Sequence, residues 1–180
     1  YGFVGAGNGK INLYKGQKAG KFNVILYKFE STCGFYLGCL NPEYAPFTPN
    51  LDRLAGQGLL LTAHYSQEPA SLKSLYAMLS GKYSYKTRDW GEYIRRAQQD
   101  IFLPQILAEH GYGSLFLGAG NGAIYLQNDM LKGKFDRVID KRVLKAEGTS
   151  YKDYGLGLDD RALLERFALF LEDNDQPFFA

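Results

Sequence analysis

The sequence has few cysteines, little net charge and no long apolar run, and each shortage excludes a class of protein. The two cysteines, Cys33 and Cys39, match no common zinc-binding spacing and cannot form a disulfide framework. A net charge of +2 over 180 residues does not indicate a nucleic-acid partner. No apolar stretch is long enough to cross a bilayer. We expect both thiols to be buried as small apolar groups, and a local disulfide stays open if the protein is exported.

The composition that is present belongs to an ordinary globular protein. Hydrophobic residues make up 46% and charged residues 22% of the sequence, and the length suits one α/β core. Residues 1–21 are rich in Gly and Lys and are predicted to be a linker or the tail of a preceding segment. We interpret residues 22–180 as the N-terminal portion of a domain that is truncated at its C-terminus. Both ends of the sequence are expected to be truncation points within a longer chain.

Apolar runs alternate with amphipathic stretches along residues 22–180. Strands are predicted over residues 23–29, 59–63 and 115–117, with another beginning at residue 177, and the first is expected to be buried on both faces. Helices are predicted after Thr48, which can cap the first one, and over residues 71–80, 103–110 and 159–172. Residues 82–100 are predicted to be irregular. This alternation indicates a mainly parallel sheet with helices on both faces.

Ligands of such sheets bind beyond the carboxyl ends of the strands. Glu30 ends the first predicted strand, and residues 66–74 and 118–122 follow the next two. A carboxylate at the end of a buried strand requires a cation or another partner. The partner is either a bound metal or Lys28, which lies two residues earlier and therefore on the same side of the strand.

Two further residues at this edge are candidates for chemistry. Ser71 opens a helix, where free backbone N–H groups and the helix dipole favour an anionic oxygen, and a metal at Glu30 would activate its hydroxyl as a nucleophile. The alternative for Ser71 is an ordinary N-cap. Asn121 lies in a Gly-rich loop and could donate a hydrogen bond to an anion, although a simple turn explains this loop equally well.

The order of several short motifs resembles the sulfatase-like branch of the alkaline phosphatase superfamily, from about Lys21 to the end. The most specific of them is Thr-Pro-Asn-Leu-Asp-Arg-Leu-Ala at residues 48–55. The others lie at residues 23–26, 30–32, 37–39, 65–67, 69, 71, 74, 79–81, 103–107, 111–113, 135–136, 159–160 and 177–179. The resemblance implies a three-layer α/β/α sandwich of the alkaline phosphatase type.

The resemblance also implies roles for individual residues. Glu30 matches the carboxylate that binds the metal, and Ser71 matches the nucleophile, which is itself a metal ligand. One divalent metal ion is implied (Zn, Mn, Mg or Ca), with further Asp and His ligands beyond Ala180. Lys73 and Asn121 are the candidates for binding the substrate anion, and a Lys73 that faces solvent stays open as the alternative. With so few ligands, residues 1–180 alone are expected to be inactive.

The sequence departs from true sulfatases at the site itself. Their nucleophile is oxidised to formylglycine within Cys/Ser-x-Pro-Ser-Arg, whereas this chain reads Ser71-Leu72-Lys73-Ser74-Leu75. Their Asp-Asp pair is Glu30-Ser31 here, and their Gly-Lys-Trp-His segment is Gly-Ala-Gly-Asn at residues 118–121. The pattern is more similar to the lipoteichoic acid synthase and phosphoethanolamine transferase relatives, which have Thr at the position of Ser71.

The resulting prediction is a metal-dependent hydrolase or transferase that acts on a phosphate or sulfate ester through Ser71. A true sulfatase with an unusual maturation motif and a non-catalytic relative that binds an anion or glycan stay open. The predicted substrate is a small-molecule, glycan or lipid ester, and no nucleic acid is expected. The resemblance implies an extracytoplasmic location, in the periplasm or cell envelope, and contact with a membrane only through segments outside this chain.

Overall fold

The computed structural model describes residues 21–123 and 126–180. The elements in chain order are α1 (Pro49–Gln57), α2 (Ser71–Ser80), α3 (Trp90–Gln99), α4 (Leu103–Ala108), β1 (Gly113–Leu117), α5 (Gln127–Leu131), β2 (Arg137–Ile139), α6 (Lys141–Ala146), α7 (Arg161–Glu172) and β3 (Phe178–Phe179). Short 3-10 helices cover Gly34–Tyr36 and Pro42–Phe47. Of the predicted linker over residues 1–21, all but Lys21 lies outside the described residues.

The sheet is parallel, with β1 between β2 and β3. An extended segment around Val24 continues the sheet beyond β3, because the Val24 amide donates to the Phe178 carbonyl over 2.8 Å and the Ala180 amide donates to the Val24 carbonyl over 2.9 Å. The bridge between Val24 and Phe179 is also parallel. The carboxyl ends of all four segments therefore lie along one edge, as predicted for a mainly parallel sheet.

Helices pack on both faces of the sheet, because successive side chains of a strand point to opposite faces. One buried cluster joins α2, α3 and α5 to Phe179 of β3. The other joins Leu115 of β1 and Ile139 of β2 to α6 and α7. In β3, Phe178 contacts Phe167 and Phe170 of α7 on that second face. The predicted three-layer α/β/α arrangement is confirmed.

The helix α2 forms where the sequence predicts it. Its apolar residues recur at helical spacing and five of them are buried: Leu72, Leu75, Tyr76, Ala77 and Leu79. It ends at Gly81, which adopts φ +67° and donates its N–H to the Ala77 carbonyl. A left-handed residue after the last turn is a common way to end a helix, and glycine adopts it without steric cost.

Two predicted strands are wrong or only partly formed. Residues 59–63 form no strand, and Leu59 is 67% exposed. The segment after Asn23 forms one bridge and is not buried on both faces, since Ile25 is 56% exposed. The physical reason is the same for both: among the described residues, no helix covers these apolar runs, and an apolar run becomes a buried strand only where a second layer packs on it.

Four elements were not predicted. The helix α3 lies within the stretch expected to be irregular, although Asp89 caps it by accepting from the Glu92 amide over 3.1 Å. Its inward residues Tyr93 and Ala97 are four positions apart and fully buried. The elements α5, β2 and α6 are three to six residues long, too short for their periodicity to be recognised.

Two smaller expectations also need correction. Cys33 is exposed and Cys39 is half-buried, and both are free thiols, so the expected burial of the pair is wrong. Thr48 precedes α1, but its side chain makes no cap hydrogen bond.

Within the described part of the chain, no helix combines the length and the apolar character that a membrane crossing requires.

Candidate active site

Glu30 and Ser71 lie in contact at the surface of the protein. The Ser71 hydroxyl donates to Glu30 Oε1 over 2.6 Å, across 41 residues of sequence. Glu30 follows the segment that pairs with β3, and Ser71 is the first residue of α2. The expected proximity of the two side chains is therefore confirmed, whereas their roles as metal ligand and nucleophile stay predictions.

The second oxygen of Glu30 binds Lys28. The Lys28 ammonium lies 2.7 Å from Oε2, which forms an ion pair between residues on the same side of an extended segment. Hydrogen bonds from Lys28 and then from Ser71 lower the pKa of the Glu30 carboxyl, and partial burial opposes them. Glu30 is consequently an ionised carboxylate at neutral pH, with one oxygen on a hydroxyl and the other on an ammonium.

The Ser71 hydroxyl does not cap its helix. The N-cap residue of α2 is Ala70, which has an extended backbone, and the first helical hydrogen bond runs from the Ser74 amide to the Ala70 carbonyl. The ordinary N-cap interpretation of Ser71 is therefore wrong. The amides of residues 71–73 precede this first bond, so they have no partner within the helix and give its end a partial positive charge.

A motif that follows Glu30 holds the adjoining loop in place. The Gly38 amide donates to Thr48 Oγ1 over 2.7 Å, and the Cys39 amide donates to Asp52 Oδ1 over 2.7 Å. A Cβ atom on Gly38 would lie 2.4 Å from Cα of Ala45, so only glycine fits there. Thr48 and Asp52 of the Thr-Pro-Asn-Leu-Asp motif thus anchor the loop that begins at the metal-ligand candidate.

Other hydroxyl groups lie close to Ser71 along the chain. Ser66 donates to the Glu68 carbonyl over 2.8 Å, and its Oγ lies 3.4 Å from Oγ of Ser74. Ser74 is one turn further along α2 and is half-buried. The contact between Ser66 and Ser74 depends on the turn between them, and no local sequence pattern signals it.

The structure directs the Lys73 side chain toward α3. The Lys73 ammonium lies 3.4 Å from the Thr87 carbonyl and 5.7 Å from the ring centroids of both Trp90 and Tyr93. These are a weak hydrogen bond and two cation–π contacts. The predicted contact of Lys73 with a substrate anion stays a prediction.

Asn121 lies in the loop that follows β1, at the carboxyl edge. Its side-chain oxygen accepts from the Ala123 amide over 3.2 Å, which is a local turn. The loop is tied to its neighbours because the Gly118 amide donates to the Ile139 carbonyl and the Lys141 amide donates to the Gly120 carbonyl. The role of Asn121 in anion binding stays a prediction.

The donor chemistry of Glu30 and Ser71 fits a divalent cation. A carboxylate and a hydroxyl are oxygen donors of the kind that Mg²⁺, Ca²⁺ and Mn²⁺ prefer, and Zn²⁺ also accepts carboxylate oxygen. The ammonium on Oε2 shows that this carboxylate already binds positive charge. Two donors are too few for a complete site, and the described residues contain no cluster of three or more His, Cys, Asp or Glu side chains that could hold a metal.

Comparison with known proteins identifies the family to which the chain is similar. The family model described as Sulfatase matches residues 23–180. The chain is similar to an N-acetylgalactosamine-6-O-sulfatase of Bacteroides thetaiotaomicron, with 34% identity over 85 residues (47% of this chain and 16% of that protein). It is 31% identical over 102 residues to the N-acetylgalactosamine-6-sulfatase of Canis lupus familiaris (49% and 20%) and 29% identical over 115 residues to human arylsulfatase D (58% and 19%).

Solved structures show the same fold. A protein of the alkaline phosphatase superfamily from Vibrio parahaemolyticus superposes with a TM-score of 0.70 at 23% identity, over 92% of this chain and 40% of that chain. The lipoteichoic acid synthase LtaP from Listeria monocytogenes superposes with a TM-score of 0.53 at 14% identity, over 63% and 28% of the two chains. This chain spans at most 20% of the length of the three curated relatives. With its alkaline phosphatase-like fold and a family match over residues 23–180, the chain belongs to the sulfatase family.

Proposed function

We propose that this chain supplies the nucleophile and one metal ligand of a hydrolase or transferase that acts on a phosphate or sulfate ester. The observation that supports it best is the 2.6 Å hydrogen bond from Ser71 to Glu30. Serine is a preferred N-cap residue, whereas Ser71 is the first residue inside α2 and its hydroxyl is held by a carboxylate that also carries an ammonium.

The proposed roles follow from the chemistry of the two side chains. Glu30 orients the Ser71 Oγ and, as an ionised carboxylate, would hold the divalent cation together with Ser71. That cation would lower the pKa of the serine hydroxyl. The Oγ, after losing its proton to solvent, would form a bond to phosphorus as the ester P–O bond breaks, and the leaving oxygen would take a proton from water to depart as an alcohol. Attack by water or by another hydroxyl, which loses its proton, would then break the bond between phosphorus and the Ser71 Oγ and release the group. Free amides at the start of α2 would stabilise the negative oxygens of the ester.

We favour a phosphate ester over a sulfate ester as the substrate. The residues around Ser71 differ from the maturation motif of true sulfatases at Lys73 and Leu75. Leu75 is 6% exposed and belongs to the core, and Lys73 contacts the Thr87 carbonyl. Unmodified serine can form a phosphoseryl intermediate. Sulfatase chemistry instead requires formylglycine, and residues 71–75 differ from the motif in which formylglycine is made.

A sulfatase is the second candidate, because the three curated relatives are named as sulfatases. The names of two of them carry N-acetylgalactosamine, which makes a sulfated glycan the substrate class under this alternative. Under the first candidate, a glycan or lipid phosphoester and an extracytoplasmic location remain our predictions. A non-catalytic relative that binds such an anion is the outcome if no ester is turned over.

The test is to assay the full-length protein with matched aryl phosphate and aryl sulfate substrates in the presence of Mn²⁺. Ser71→Ala is expected to reduce kcat/KM by at least about a thousandfold, because it removes the nucleophile. Ser74→Ala is the matched control, since it removes a hydroxyl one turn away on the same helix and is expected to retain most of the activity.

The outcomes separate the candidates. Faster turnover of the aryl phosphate, lost in Ser71→Ala, supports the first. Faster turnover of the aryl sulfate, together with the mass change of formylglycine at Ser71, supports the sulfatase. Absence of turnover and of metal binding in the full-length protein contradicts both and leaves a binding protein.

A further inference from the structure

Lys28 is a charged residue at the site to which no role in the reaction has been assigned. Its ammonium lies 2.7 Å from Glu30 Oε2, while Ser71 occupies Oε1 of the same carboxylate. The Lys28 side chain is 28% exposed and that of Glu30 is 62% exposed. The Lys28 side chain as a whole is therefore less exposed than that of the carboxylate residue it contacts.

The segment that leads to this pair is held by the sheet. The segment around Val24 pairs with β3 through three hydrogen bonds, from the Val24, Leu26 and Ala180 amides. Residues two apart in such an extended segment project to the same side. Lys28 therefore points to the side on which Glu30 meets Ser71.

We propose that Lys28 is a built-in cation of this site, which occupies Glu30 Oε2 until a divalent metal ion takes that oxygen and so sets the metal affinity of the site. The inference depends on the proposed function in one respect, namely that Glu30 is a metal ligand. It gives Lys28 a specific function, control of metal affinity, which an ordinary surface ion pair would not have.

The argument is electrostatic. A divalent ion and an ammonium cannot both lie at contact distance from one carboxylate oxygen without strong repulsion between them. A metal ion that takes Oε2 must therefore displace Lys28, and the exposed ion pair that it breaks is a weak one. Removal of the ammonium is expected to tighten metal binding by about twofold to tenfold, the upper part of this range reflecting the additional loss of repulsion.

The experiment is calorimetric titration of Mn²⁺ into the metal-free full-length protein. Lys28→Met, which keeps the length of the apolar stem without the charge, is expected to bind Mn²⁺ about twofold to tenfold more tightly than wild type. Lys28→Arg retains the charge and is expected to stay near the wild-type affinity. Lys145→Met is the matched control for the loss of one positive charge, because the partner of Lys145 is Asp153, and its affinity is expected to be unchanged.

Glu30→Gln separates this inference from the proposed function. If Glu30→Gln abolishes Mn²⁺ binding but Lys28→Met binds no more tightly than wild type, the inference falls and the metal site stands. Equal tightening in Lys28→Met and Lys145→Met also overturns it, since the effect would then be one of overall charge. Unchanged Mn²⁺ affinity in Glu30→Gln overturns the metal site and the role of Lys28 together. Circular dichroism of each variant verifies that it is folded.

Discussion

Two carboxylates in this chain accept hydrogen bonds from a lysine and from hydroxyl groups, yet they lie in different surroundings. Glu30 binds Lys28 and Ser71 with its side chain 62% exposed. Asp100 binds Lys82 and the hydroxyls of Tyr76 and Tyr85 with its side chain 9% exposed. Exposure leaves Glu30 open to an external ligand, whereas burial makes Asp100 a structural group that joins α2 to the end of α3.

The buried Asp100 predicts a specific dependence of stability on pH. Burial raises the pKa of Asp100, but hydrogen bonds from Lys82, Tyr76 and Tyr85 outweigh it and lower the pKa to about 2. The unfolded carboxyl has a pKa of about 3.9. The stabilisation is therefore fully present above about pH 4 and is lost as the pH falls toward 2.

Asp100→Asn is expected to lose about 1–3 kcal/mol of unfolding free energy at neutral pH, since it removes the charge that the three donors share. The difference from wild type should shrink as the pH falls below about 4, and denaturant unfolding between about pH 7 and pH 3 measures it. Asp175→Asn, at an exposed site, is the control and should change stability by less than about 0.5 kcal/mol. A difference that is independent of pH would contradict the assignment.

At the scale of single elements, α2 is the helix that positions the candidate nucleophile. Its first residue carries the hydroxyl that contacts Glu30, and its inner residues belong to the larger buried cluster. Its end at Gly81 depends on a left-handed backbone rather than on a packing contact, because a Cβ atom there would meet no heavy atom within 4 Å. A substitution at Gly81 therefore tests the backbone conformation without disturbing any packing contact.

Gly81→Ala is expected to destabilise the protein by about 1 kcal/mol, since an L side chain at positive φ is strained. Gly56→Ala is the matched control: Gly56 is exposed in α1, where a Cβ atom also meets nothing within 4 Å. It should stabilise the protein by about 0.5–1 kcal/mol through the entropy of the unfolded chain. Thermal unfolding measures both, and a stabilising Gly81→Ala would show that the left-handed end of α2 is wrong.

At the scale of the whole molecule, the described residues bring two metal-ligand candidates together. Divalent ions in proteins take four or more ligands, and the described residues hold no cluster of three or more acidic, His or Cys side chains around one point. Under the proposed function, the described residues would therefore form only part of the metal site, at the carboxyl edge of a sheet whose first segment has apolar side chains exposed.

Residues 1–180 expressed alone are accordingly expected to show no metal-dependent hydrolysis of aryl phosphate or aryl sulfate. The reason is that Glu30 and Ser71 together provide too few donors to bind a divalent ion tightly. The measurement compares this chain with the full-length protein at equal concentrations, with and without Mn²⁺. Metal-dependent turnover by residues 1–180, lost in Ser71→Ala, would refute the expectation.

Local sequence patterns determined much of this protein. The apolar spacing of α2 and α7, the run that forms β1 and the Phe pair of β3 were readable because each is decided by neighbours in the chain. The order of motifs determined the family, and with it the proximity of Glu30 and Ser71. The helix α3 was missed: the cap residue Asp89 signals its start, but its polar surface concealed the spacing of Tyr93 and Ala97.

Only the tertiary structure decided the rest, because burial and side-chain direction depend on what packs against a segment. Residues 59–63 have the pattern of a strand but form none, and they are exposed because no second layer among the described residues covers them. The helix α2 begins one residue earlier than a cap at Ser71 would require, with Ala70 as its N-cap, and the Ser71 hydroxyl contacts Glu30. Lys73 turns toward Thr87 because α3 supplies aromatic rings beside it. These contacts join residues distant in sequence or lying on different elements, so no local pattern could specify them.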